Sequence, residues 1–168
     1  MKKLIAVLMC VLMILGAFAG CTIEEPAGPG KNTYGLTTIK EGYLTVLTSP
    51  DYAPYEFYSL DENGNPTLAG FDMALAQYIA DYLGLTLEVI PMDFNGIVTE
   101  MGSGSADLAL AGLSPSPDRL DKMDFSDMYY EGKQAFITTK EKASLFTDLA
   151  STNSKDFTIA AQTGTIQM

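Results

Sequence analysis

Three short apolar runs, separated by segments with helical spacing, limit this chain to a small set of folds. Leu44-Thr45-Val46-Leu47-Thr48 alternates side chains in the manner of a strand and stops at the turn cluster Ser49-Pro50-Asp51. Phe71, Leu75, Ile79, Tyr82 and Leu83 recur at helical spacing, and Gly84 supplies a left-handed stop. A second strand is predicted at 85–90, ending at Pro91. Phe94, Ile97, Val98 and Met101 then predict a short helix closed by Gly102, and 107–111 a third strand. Strands alternating with helices imply βαβ units, a mostly parallel sheet and right-handed crossovers. The turn-rich run Leu60-Asp61-Glu62-Asn63-Gly64-Asn65-Pro66 reads as an exposed, hairpin-like excursion. Further along, 133–139 has the composition of a strand, 145–149 of a short helix and 157–161 of another strand, which runs into Gln162-Thr163-Gly164-Thr165. That new βα unit begins with nothing to pack against, so the sequence is expected to be a fragment of a longer protein.

The N-terminus gives an address. Lys2 and Lys3 precede an unbroken apolar stretch over 4–15, followed by Gly16-Ala17-Phe18-Ala19-Gly20-Cys21, the pattern of a secretory signal rather than a membrane-spanning helix. Small residues running directly into a cysteine resemble the lipobox of bacterial lipoproteins. The resemblance implies cleavage after residue 20, acylation of Cys21 and an extracytoplasmic protein anchored to the membrane; a free cysteine in a secreted protein is the competing reading. Residues 22–32, with Glu24, Glu25, Pro26, Gly28, Pro29 and Gly30, lack apolar periodicity and read as a flexible tether within 21–42. Structure is expected to begin near Tyr43.

Composition excludes several kinds of chemistry. The chain has no histidine, and Cys10 lies in the segment to be discarded, so Cys/His metal sites and Cys-His or Ser-His catalysis are ruled out. No cofactor is implied. Ten cationic side chains less the two lysines of the signal leave 8 against 21 acids, a net charge of −13, which makes nucleic acid and anionic lipid surfaces poor partners.

Among those acids stands a single arginine, Arg119, just past the third apolar run and the loop Ser114-Pro115-Ser116-Pro117-Asp118. Ligands of parallel α/β sheets sit at the carboxyl ends of strands, here 49–55, 91–94 and 112–119. A guanidinium on that edge suits a carboxylate, because its planar fork holds both oxygens at once. A salt bridge to Asp118, Asp121 or Asp124 is the structural alternative.

Five ordered motifs carry a family resemblance. Gly70-Phe71-Asp72-Met73-Ala74-Leu75-Ala76 is similar to a Gly-Phe-Asp-hydrophobic-Asp-Leu-Ala signature, with Ala74 in place of the second acid. Asp51-Tyr52-Ala53-Pro54-Tyr55-Glu56-Phe57 resembles an aromatic-Pro-Pro-Phe segment, and Ala106-Asp107-Leu108-Ala109 a Gly-Lys-hydrophobic-Asp strand start. Leu113 to Arg119 matches a pattern ending in Thr-Xaa-Glu-Arg, and Asp124-Phe125-Ser126-Asp127-Met128-Tyr129-Tyr130 resembles Phe-Ser-x-Pro-Tyr, with Met128 replacing proline. Together they resemble the family-3 extracellular solute-binding proteins of polar-amino-acid ABC transporters.

The resemblance implies a type II periplasmic-binding-protein-like α/β fold: lobe one at 43–136, a hinge crossing and an incomplete second lobe at 137–168, and a ligand clamped between lobes. Arg119 would hold the ligand α-carboxylate, helped by Ser114 and the backbone at Gly112. Tyr52 would cover the ligand, Phe94 would shape the side-chain pocket, and Thr165 would reach the carboxylate from lobe two. Tyr52 and Phe94 could equally be core aromatics, Ser114 a turn residue and Thr165 a helix cap. Ser49, where the family sometimes has aspartate, could give only a neutral hydrogen bond. The implied function is capture of a polar amino acid for an ABC permease without turnover. The rivals are a dehydratase on the same scaffold, with Glu56 or Asp51 as general acid or base, and the sensing domain of a signalling receptor.

Overall fold

The computed structural model describes residues 28–168; the expected signal segment and Cys21 lie outside the described residues. In chain order the elements are β1 (Tyr43–Thr48), β2 (Asp51–Tyr52), β3 (Glu56–Leu60), β4 (Pro66–Ala69), α1 (Phe71–Leu83), β5 (Thr86–Pro91), α2 (Phe94–Ser103), β6 (Leu108–Ala109) and the single-turn α3 (Pro117–Leu120).

The first strand organises the rest. It pairs in parallel with β5, Val46 opposite Val89, and with β6, Val46 opposite Leu108, giving the order β5-β1-β6. Alternation along β1 sends Leu44 and Val46 to one face, where they meet Ala76 and Ala80 of α1. Leu47 points to the other face, against Ile97 of α2 and Ala106. Helices therefore cover both faces of the sheet, as the crossovers require. Each fully buried Leu, Ile or Val contributes about 1.5–3 kcal/mol.

A second, antiparallel sheet β2-β3-β4 grows out between β1 and α1. Its turn is closed by Asp61, whose carboxylate accepts the backbone N–H groups of Asn63 and Asn65 at 2.8 Å. This is the excursion expected at 60–66. The hairpin brings Glu56 beside Tyr52 and delivers the chain to α1 through Gly70.

The helix ends follow the glycines, with one difference. Gly84 takes the left-handed conformation after α1, and the Leu85 N–H donates to the Ala80 carbonyl at 2.9 Å. The second helix, however, runs through Gly102 to Ser103 and is closed by Gly104, at φ 73. Gly102 keeps helical backbone, and Gly104 takes the stop, its N–H donating to the Met101 carbonyl at 3.0 Å.

The third strand is shorter than the expected 107–111. Its start is held by a side chain: Asp107 accepts the Thr45 N–H at 2.8 Å and the Thr45 hydroxyl, and its other oxygen accepts the Ile39 N–H at 2.8 Å. Pairing ends after the Leu110 N–H meets the Leu47 carbonyl at 2.9 Å, and Gly112, at φ 56, turns the chain away.

Two expected strands, 133–139 and 157–161, are not strands. Among the described residues no strand runs beside either, and β-forming composition becomes a strand only where a ladder exists to join. The expected helix at 145–149 is replaced by 3₁₀ turns at Ala143–Leu145 and Ala150–Thr152. Asp148 accepts the Ser151 N–H at 2.8 Å, so a side chain competes with helical bonding at that point.

The described part of the expected tether, 28–42, lies against the fold. Asn32 and Thr33 donate backbone N–H groups to the Gly84 and Leu83 carbonyls at 2.7 and 2.8 Å, and Tyr34 stacks on Tyr82 at 5.5 Å. Glycine and acid content suggested freedom, but the open carbonyls at the end of α1 offer these amides a partner. No helix among the described residues is long and apolar enough to cross a membrane.

Candidate functional site

The carboxyl ends of β1, β5 and β6 converge on one edge, and there the chain places its arginine. Arg119 lies on α3, whose first helical residue, Pro117, follows Ser116; the turn points the side chain back under the loop. It is 5 % exposed. Its Nη1 donates to the Ser114 carbonyl at 2.7 Å and its Nη2 to the Gly164 carbonyl at 2.9 Å. The guanidinium carbon lies 5.6 Å from the centre of the Phe94 ring. Burial lowers its pKa from the ordinary arginine value, which leaves it cationic.

The expected alternative, a bridge to Asp118, Asp121 or Asp124, is not formed. The ion pair among the described residues joins Lys40 to Glu88, at 2.8 Å. Arg119 is thus a buried cation held by carbonyl dipoles, with two of its five N–H donors so occupied.

The other expected residues surround it in two groups. Phe94, at the start of α2, Ser114 and the turn at Gly164 touch the guanidinium directly. Thr165 is next to that turn, but its hydroxyl donates to the Gln162 carbonyl at 2.7 Å. Tyr52, half exposed, lies over Gly112: a methyl group at Gly112 would come within 3.0 Å of its ring. Ser49, buried at the end of β1, donates to Asp51 at 3.0 Å, and Asp51 also accepts the Gln162 amide at 2.8 Å. An open cavity of about 450 Å³ at these strand ends is lined by Ser49, Asp51, Tyr58, Met92 and Asp93.

Behind Gly112 lies a feature that the sequence did not disclose. Gly70 approaches Tyr55 so closely that an added methyl would lie 2.1 Å from its carbonyl oxygen, and Phe71 and Asp72 donate backbone N–H groups to the Pro54 and Tyr55 carbonyls. The Gly-Phe-Asp motif thereby locks the 52–56 segment to the first turn of α1. Asp72, fully buried, accepts the Gly112 N–H at 3.2 Å and the Tyr129 hydroxyl at 3.0 Å. Glu56, also fully buried, faces Asp72. Burial first, and then the Asp72 charge, raise the Glu56 pKa from 4.5 to about 9. A glutamate in a short alternating strand resembles any solvated residue of a hairpin. Only the packing of β3 on α1 distinguishes it, and no local signal could have done so.

Residues 44–167 match the bacterial extracellular solute-binding proteins, family 3. The chain belongs to that family. It is 33% identical over 150 residues to the arginine-binding extracellular protein ArtP of Bacillus subtilis, covering 89% of this chain and 54% of that one. A solved structure of an amino acid ABC transporter substrate-binding protein from Streptococcus pneumoniae, bound to L-arginine, superposes with a TM-score of 0.61 at 45% identity, over 66% of this chain and 46% of the other. Cyclohexadienyl dehydratase of Pseudomonas aeruginosa is 32% identical over 106 residues, 62% of this chain and 38% of the enzyme. The chain thus spans about half the length of these relatives, and the family includes at least one enzyme beside its amino-acid-binding members. The fold is the α/β arrangement of type II periplasmic binding proteins, and the family is an extracellular one.

Proposed function

We propose that this protein is the binding component of an ABC importer and captures a polar amino acid at the carboxyl edge of its parallel sheet. The observation that carries the reading is Arg119: a buried guanidinium on the ligand edge of an α/β sheet, against an aromatic ring, and without an acid partner among the described residues. A ligand α-carboxylate supplies the missing charge. Ser114 and the Gly112 backbone flank it, Phe94 shapes the pocket, Tyr52 covers the ligand and Thr165 closes from the returning segment. Lobe one comprises 43–136 and 137–168 begins the crossing to lobe two; preferential binding to the closed form drives the hinge. The arginine-binding relatives, and the acids Asp51 and Asp93 in the edge cavity, make L-arginine the first ligand to test. Acylation at Cys21 anchors the protein outside the cytoplasm, and a permease receives the ligand.

The dehydratase-like relative prompts the alternative of turnover, with Glu56 as acid. A general acid must come within hydrogen-bond reach of its substrate. Glu56 is fully buried against Asp72, so binding without turnover is the better reading.

Calorimetry tests the assignment. Arg119→Ala should weaken L-arginine binding by roughly 2–5 kcal/mol, the scale for removing one partner of a buried charge pair. A change of less than about threefold, below roughly 0.7 kcal/mol, would refute the role of Arg119.

A further inference from the structure

Two carboxyl groups meet between Tyr52, the start of α1 and the Gly112 loop. Glu56 and Asp72 are both 0 % exposed. Among the described residues no donor reaches either oxygen of Glu56 or Oδ1 of Asp72, all of them buried. Such orphaned charge is among the most costly arrangements a core can hold. Two carboxylates cannot bond to each other, but a carboxylic acid can donate to a carboxylate, and one proton would satisfy the pair.

We propose that Glu56 is kept as a neutral acid that donates its proton to Asp72, and that this pair is a positioning device for the ligand-carboxylate loop, fixing it through the Gly112 N–H and the Tyr129 hydroxyl. The path is short. Asp72 Oδ2 takes both donors, at 3.2 and 3.0 Å, and two residues after Gly112 comes Ser114, whose carbonyl holds Arg119. Asp72 must be the charged member, because it accepts two donors while Glu56 accepts none.

The electrostatic surroundings agree. The charges acting on Glu56 are Asp72 at the start of α1 and Asp51 on β2, both of which oppose its ionisation. Tyr129, from the segment packed across the pair, has its own ionisation suppressed by burial, by Asp72 and by Glu56, so it remains a neutral donor. Tyr55, beside Glu56 in sequence, is likewise held neutral, mainly through its contact with Tyr130. No cation is among the groups acting on Glu56.

The positioning claim rests on the binding role given above for the loop; the shared proton does not. Carbon-13 NMR of protein labelled at glutamate carboxyls, assigned with Glu56→Gln, should show one acid still protonated at neutral pH and titrating last. The Gly112 amide resonance should move with the same midpoint. A Glu56 ionised at neutral pH, or a Gly112 amide indifferent to its titration, overturns the proposal. Glu56→Gln, whose amide N–H replaces the proton, should retain L-arginine affinity within about threefold, whereas Glu56→Leu, which leaves Asp72 Oδ1 unpaired, should lose about tenfold or more. Equal affinities in the two variants also overturn it. If the parent protein binds no amino acid, the functional reading fails, while NMR still decides where the proton lies.

Discussion

Gly70→Ala is the substitution whose cost the structure defines most sharply. The residue sits at φ 124, a conformation that side chains avoid, which alone costs about 1–3 kcal/mol. Its added methyl would also lie 2.1 Å from the Tyr55 carbonyl oxygen, inside contact distance of rigid backbone. Relief requires the 52–56 segment to move off α1, weakening the N–H bonds from Phe71 and Asp72 to Pro54 and Tyr55, at about 1 kcal/mol each. The sum is about 3–5 kcal/mol. With a urea slope of about 1–3 kcal/mol per molar, the unfolding midpoint should fall by about 1 M or more. Gly64→Ala is the control: φ is 82 in open space, so only the backbone strain of about 1 kcal/mol applies. Equal shifts for the two variants would show that close approach at Gly70 does not matter and would refute the role assigned to the motif.

Ile97→Ala, at a fully buried position between α2 and the sheet, should lower stability in the same assay by about 2–5 kcal/mol. Asp107→Ala should cost about 2–4 kcal/mol, since it strands the Thr45 and Ile39 donors, whereas exposed Asp118→Ala should change stability by less than about 0.5 kcal/mol. Glu56 has a raised pKa, so the folded state keeps a proton that the unfolded chain releases above about 4.5. Its contribution is full below that pH and is lost as pH rises to about 9. Urea titrations should therefore show stability falling across this window, and Glu56→Gln should flatten the fall.

Local pattern reached as far as local physics did. The strand beginning at Tyr43 and the helix ending at Gly84 were legible because one buried face imposes a period, and because a left-handed residue needs glycine. Arg119 was legible as a lone arginine on a strand-end loop. Its partners were not, since the Gly164 carbonyl lies 45 residues further along. The stretches at 133–139 and 157–161 misled, because their composition describes a strand but cannot supply its neighbour. Glu56 and Asp72 were read apart, in two separate motifs, with Glu56 also a candidate acid or base; their meeting depends on how β3 folds back onto α1.

The dipoles that hold Arg119 also set the terms on which anything negative can arrive. Carbonyl oxygens steady a guanidinium without cancelling it, so an incoming anion meets a full charge in a place where dissolved ions screen weakly. Sodium chloride that erases the Lys40–Glu88 attraction at the surface would leave the field of Arg119 far less screened, so the anion binding proposed for it should weaken little with added salt.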